Sequence, residues 1–127
     1  MQFDEPIFVT DKDEDTLISV IAKVYDELSS AANNVKIVFM TYFEHALKAV
    51  AEAAKTKIYG IGLDFIHGKR NYEALELIKN SHLTLFAGII DGRNIWKGNI
   101  DEKVNLVKEI SVKLGGKDFF EIGRAHV

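Results

Sequence analysis

A chain of 127 residues that is 47% hydrophobic and 28% charged has the makeup of one globular α/β domain and is too apolar to stay disordered. Its formal charge of -3, with lysines scattered among acids, leaves no basic footprint for nucleic acid or anionic lipid. It has no cysteine, so it can build neither a disulfide framework nor a thiolate metal site, and its longest apolar stretch, Leu83 to Ile90, falls well short of the roughly 20 residues that cross a bilayer.

Gln2 to Val9 reads as a strand, with its proline, Pro6, placed after the ladder section. It follows Met1 directly, without the charged and then apolar layout of a secretory signal, so a cytoplasmic setting is expected. The acidic turn from Thr10 to Asp15 leads into a helix whose Leu17, Ile18, Ile21, Val24, Tyr25 and Leu28 form one apolar stripe, and the aspartates suit its positive end. Ala31 to Asn34 breaks that pattern, and Val35 to Phe43 reads as the second strand. Glu44 to Lys55 is an alanine-rich helix, and Ile58 to Phe65 is strand three, whose Gly60 and Gly62 mark a close approach by another element.

Asn71 to Asn80 reads as a helix capped by Asn71, and Leu83 to Ile90 as strand four. Ile100 to Leu114, with Val104, Val107, Lys108, Ile110 and Val112 on or beside one face, is the last helix, stopped by Gly115-Gly116. Asp118-Phe119-Phe120 begins a fifth strand. Strand starts near residues 3, 36, 58, 84 and 118 imply successive βα units around a buried parallel sheet. Periodicity leaves two architectures open, a doubly wound open sheet and about half of a (βα)8 barrel.

In either architecture the functional edge lies at the C-terminal ends of the strands. Asp4 and Glu5 stand there after strand one, Thr41 and Tyr42 after strand two, Asp64 after strand three, and Asp91, Arg93 and Asn94 after strand four. Asp4, Glu5, Asp64, Asp91, Arg93 and Asn94 are the candidate substrate-binding residues. For Asp4, Glu5 and Asp91, ordering of loop amides stands level with a ligand role. For Arg93, an ion pair with Asp91, Asp64 or Glu5 is preferred over anion binding. His45, His67, His82 and His126 have no partners at metal-ligand spacing, and Gly60-Ile-Gly62 lacks the third glycine and following helix of a dinucleotide fingerprint. Trp96 reads as an apolar plug at the rim or against a neighbouring domain.

The strand-end segments Gln2-Phe-Asp-Glu-Pro6, Val38 to Phe43, Ile61 to Gly68 and Ala87 to Trp96 together resemble the N-terminal barrel of cobalamin-independent methionine synthase, over nearly the whole chain up to Phe120. The resemblance implies the second half of a (βα)8 barrel. It also implies a parent enzyme that moves a methyl group from 5-methyltetrahydrofolate polyglutamate to homocysteine, with zinc held by histidine, cysteine and glutamate of a second, C-terminal barrel. Where that catalytic barrel carries a His-x-Cys pair, this chain has Thr41-Tyr42-Phe43, and Asp64 stands where the catalytic barrel has its glutamate. Asp91-Gly-Arg-Asn-Ile-Trp96 is typical of the N-terminal barrel. The resemblance thus implies no zinc ligand and no catalytic residue in this chain. Its partners would be the C-terminal barrel and the remaining strands of its own barrel. Basic contacts to the folate tail are expected mostly upstream of Gln2.

Glu121-Ile-Gly-Arg-Ala-His-Val127 is what a widely used short-read sequencing adapter encodes in one frame, GAG ATC GGA AGA GCA CAC GTC, followed by the stop TGA. Residues 1–120 are therefore expected to be partial barrel and 121–127 a non-native tail on a truncated transcript, with a divergent natural tail as the alternative. Met1 is expected to stand inside a longer protein. Half a barrel would leave strand edges and an interior face uncovered, so poor solubility or a molten state is expected of the isolated chain. Two other readings stand beside the inactive scaffold segment. One is a small non-enzymatic α/β binding or interaction module, and the other a self-contained enzyme using Asp4, Glu5 and Asp64 for acid-base work.

Overall fold

The computed structural model describes residues 1–5, 14–91 and 98–123, without the side chains of residues 14, 15 and 21. Strands and helices alternate along it: β1 (Gln2–Asp4), α1 (Glu14–Ala31), β2 (Val38–Met40), α2 (Leu47–Ala53), β3 (Gly60–Asp64), a 3-10 segment (Lys69–Ala74) running into α3 (Leu75–Lys79), β4 (Thr84–Ile90), α4 (Ile100–Lys113) and β5 (Phe119–Gly123). The first two strands are shorter than their apolar runs, because β1 and β2 share only the three-rung ladder from Gln2↔Val38 to Asp4↔Met40. Residues 6–13, expected to complete strand one and open the first helix, lie outside the described residues.

All four ladders are parallel and the strand order is β1-β2-β3-β4-β5. That order decides between the two architectures. Right-handed crossovers between successive neighbouring strands place every helix on the same face, whereas a doubly wound sheet reverses its order at a switch point. Consecutive helices accordingly touch one another, α1 with α2, α2 with α3 and α3 with α4. The arrangement is that of a partial (βα)8 barrel, and the sheet is not closed.

Side-chain alternation then separates two faces. The row Phe3, Phe39, Ile61, Leu85 and Phe119 runs across all five strands on the helix side and packs against Ile18, Tyr25, Val50, Leu75, Ile78 and Ile110. Phe39, Ile61 and Leu85 have no exposed surface, which is worth about 1.5–3 kcal/mol for each side chain. The next row, Asp4, Met40, Gly62, Phe86 and Phe120, faces the interior of the curve. A side chain at Gly62 would collide with the Met40 thioether, and the Phe86 and Phe120 rings stack at 4.9 Å.

Several local expectations need correction. Among the described side chains of the expected stripe in α1, Ile18 and Tyr25 are buried, while Val24 and Leu28 are exposed. This helix has α2 on one flank and no helix on the other among the described residues. In α4 the buried row is Leu106, Val107, Ile110 and Leu114, while Val104 and Val112 face outward. Asn99, unnoticed in the sequence, caps α4: its side chain accepts from the Asp101 and Glu102 amides, and its Nδ2 donates to the Glu102 carboxylate. Gly115 and Gly116 end the helix as expected, at φ of 65° and 81°, where side chains are disfavoured. β5 runs on through Gly123, past Phe120.

Candidate functional site

The C-terminal ends of β2 to β5 surround an apolar hollow of about 150 Å³ on the interior face, with Met40, Thr41, Asp64, Gly88, Ile90 and Ile122 among its walls. Glycine at 88 presents no side chain to its floor, while the Met40 thioether fills the space beside Gly62. The polar groups around this rim are tied to one another.

Asp64 is the most constrained of them, with 7% of its surface exposed. Its Oδ1 accepts from the backbone N–H groups of Ile66 (2.8 Å) and His67 (3.0 Å), and its Oδ2 from the Phe43 N–H (3.3 Å), with the His67 ring nitrogen 3.2 Å away. Burial acts to raise its pKa, but the His67 and Ile66 amides and the His67 ring outweigh it and hold the carboxyl below the ordinary value. The carboxylate thereby shapes two loops at once. It folds the β3 turn onto itself and fixes Phe43, whose φ of 76° is costly for an aromatic residue.

Asn71 completes the same joint. It is fully buried, accepts from the Ala46 N–H at 2.8 Å, and donates to the carbonyls of Asp64 (2.8 Å) and Glu44 (3.1 Å). Asn71 is therefore no helix cap. Its donors and acceptor clasp the loop after β2 to the loop after β3, and it sits within the 3-10 segment instead of before a helix. Gly68 permits this, because a Cβ there would lie 2.5 Å from the Glu44 carbonyl oxygen and 2.7 Å from that of Asp64.

The remaining candidates have separate partners. Asp4 accepts from the Tyr42 hydroxyl and from Gln2, each at 2.7 Å, and is exposed. Glu5 turns to the helix side, where it accepts from the Tyr25 hydroxyl at 2.9 Å; burial first, then this hydrogen bond, raises the Tyr25 phenol well above its ordinary pKa. Asp4, Glu5 and Asp64 thus form no common acid-base cluster. Thr41 is buried and donates through Oγ1 to the Gly62 carbonyl at 2.8 Å. Asp91 is half-buried at the end of β4, and Arg93, Asn94 and Trp96 lie outside the described residues, as does His126.

This set does not fit zinc. Thr41 spends its hydroxyl on a carbonyl, and Asp64 already meets four nitrogen donors. Among the described residues no three of histidine, aspartate and glutamate come together as a metal site.

The model of the cobalamin-independent synthase N-terminal domain matches residues 1–115. The chain belongs to this family. Relatives named 5-methyltetrahydropteroyltriglutamate–homocysteine methyltransferase include proteins of Desulforamulus reducens, 43% identical over 93% of the chain, Streptococcus agalactiae, 41% over 87%, and Bacillus subtilis, 36% over 87%. The chain spans about 15% of the first two relatives and 14% of the third. In this synthase N-terminal domain, then, Asp4, Glu5 and Asp64 each accept hydrogen bonds from within the chain. Tyr25, Asn71 and Gly68 were missed as their partners. A short-range signal existed only for Gly68, which follows His67 in a turn.

Proposed function

We propose that residues 1–120 are a structural part of the non-catalytic N-terminal barrel of a cobalamin-independent methionine synthase, inactive alone. The parent enzyme would transfer a methyl group from 5-methyltetrahydrofolate polyglutamate to homocysteine in the cytoplasm. Zinc, held by the C-terminal barrel, would supply thiolate activation there. The observation that carries this reading is the commitment of the rim acids to internal donors, above all Asp64, within a domain matched to the synthase family. Such a rim supports a neighbour without doing chemistry. Its partners are the other strands of its barrel and the C-terminal barrel.

Residues 121–127 belong, on this proposal, to adapter read-through. Backbone pairing depends little on sequence, so Glu121 to Gly123 can extend β5 whatever their origin. Re-sequencing the transcript tests it: a family-like extension after Phe120 supports read-through, and the same seven codons in genomic DNA refute it.

The purified chain is expected to show no methyl transfer to homocysteine and no zinc after dialysis. Turnover by the chain alone, or a stoichiometric ion surviving dialysis, would overturn the proposal.

A further inference from the structure

At the opposite end of the sheet, where the strands begin, a cleft of about 470 Å³ opens between the C-terminal end of α1 and the loops that lead into β2, β3 and β4. Lys36, Lys57 and His82 line it together with Tyr59 and Asn34, and no acid is among its walls. That segregation is notable in a chain with 19 acids against 16 lysines and arginines. Neither lysine has a carboxylate partner within ion-pair distance among the described residues. Lys57 donates to the Ser30 hydroxyl at 3.1 Å, and the Lys36 ammonium lies 4.1 Å from the centre of the Tyr59 ring.

The walls are well fixed. Tyr59 donates its backbone N–H to Ile37 and accepts from the Thr84 amide, and His82 Nε2 lies 3.0 Å from the Ile58 carbonyl oxygen. Asn34 holds φ at 65°, turning the chain back from α1 towards β2. On the α1 wall the Ser29 Oγ has no hydrogen-bond partner among the described residues.

We propose that this cleft is an anion site for a multiply charged phosphate group, separate from the hollow at the rim. Two ammoniums act as point charges suited to phosphate oxygens, and no arginine is present to prefer the planar fork of a carboxylate. Cation–π contact with Tyr59 holds Lys36 over the cleft, and Ser30 holds Lys57 on its other side, so little side-chain order is lost on binding.

The test is titration of the 127-residue chain with inorganic pyrophosphate at low ionic strength, read by amide chemical shifts. Saturable shifts at residues 34–37, 57–59 and 82 are expected. Each of Lys36→Gln and Lys57→Gln is expected to weaken them about tenfold, equal to about 1.4 kcal/mol. Lys113→Gln, on the far helix α4, is expected to leave affinity unchanged. Circular dichroism verifies that each variant is folded, and Lys36→Met or Lys57→Met replaces the glutamine variant at the same position if that one is not. Absence of saturation, unchanged affinity in the Lys36 and Lys57 variants, or equal binding of citrate would overturn the proposal.

Discussion

Replacing Asn71 by alanine removes one buried acceptor and two buried donors in a single step. The Ala46 N–H and the carbonyls of Glu44 and Asp64 lose the partners they have at 2.8, 3.1 and 2.8 Å. Each orphaned group costs about 1–3 kcal/mol, and with water reaching the half-buried Glu44 contact the two fully buried losses sum to ~2–6 kcal/mol. Against a total stability of about 5–15 kcal/mol for an ordinary domain, that is a large fraction. Urea titration followed by circular dichroism, at concentrations where the chain is monomeric, should show the midpoint falling accordingly. Hydrogen exchange should show the Ala46 amide losing protection first, while the amides of β4 lose it only through global unfolding. Asn71→Asp keeps the acceptor but aims a carboxylate at two carbonyls, so it should be destabilised at neutral pH and recover as acid protonates it. An Asn71→Ala variant within about 0.5 kcal/mol of the parent chain would refute the clasp, since the loss of even one of these bonds exceeds that.

Three further outcomes are expected. The Asp64 carboxyl is held below its ordinary value of 3.8, so its contribution is present above that pH and is lost as pH falls through the folded-state value. Asp64→Asn should therefore flatten the acid limb of stability against pH, and an unchanged limb would contradict the assignment. Gly68→Ala, which drives a Cβ into two backbone carbonyls, should cost about 1–3 kcal/mol by thermal denaturation, and a neutral result would show that the loops are looser than described. The uncovered outer edges of β1 and β5 and the exposed Val20, Val24, Leu28, Val104 and Val112 should make the chain self-associate with rising concentration; sedimentation showing only monomer at high concentration would contradict this.

How far the sequence disclosed this depends on the range of the interactions. The βα alternation, the Gly115-Gly116 stop and the placement of acids at strand ends were legible, because each is encoded within a few residues. The choice of barrel over doubly wound sheet was legible only through the family resemblance and not through periodicity, since it depends on which strands pair, and parallel neighbours lie a whole crossover apart. The role of Asn71 was hidden for the same reason: its partners Glu44 and Ala46 are 27 and 25 residues away. Periodicity misjudged α1 and α4 because both are apolar on more than one side, and the neighbours available to each decide which side is buried. Asp64 was a ligand candidate by type and position, and of the four nitrogens around it the Phe43 amide, 21 residues away, lay beyond any local reading.

The central claim, that this chain is supporting structure of a methionine synthase N-terminal barrel, is tested most directly by exchange. Residues 1–115, the stretch matched by the family, would replace the matching segment of the Bacillus subtilis relative, and methyl transfer to homocysteine would be measured in the purified, folded chimera. The account predicts kcat within about tenfold of the parent enzyme, because no group that touches the reacting atoms is exchanged. A folded chimera with no methyl transfer would contradict it.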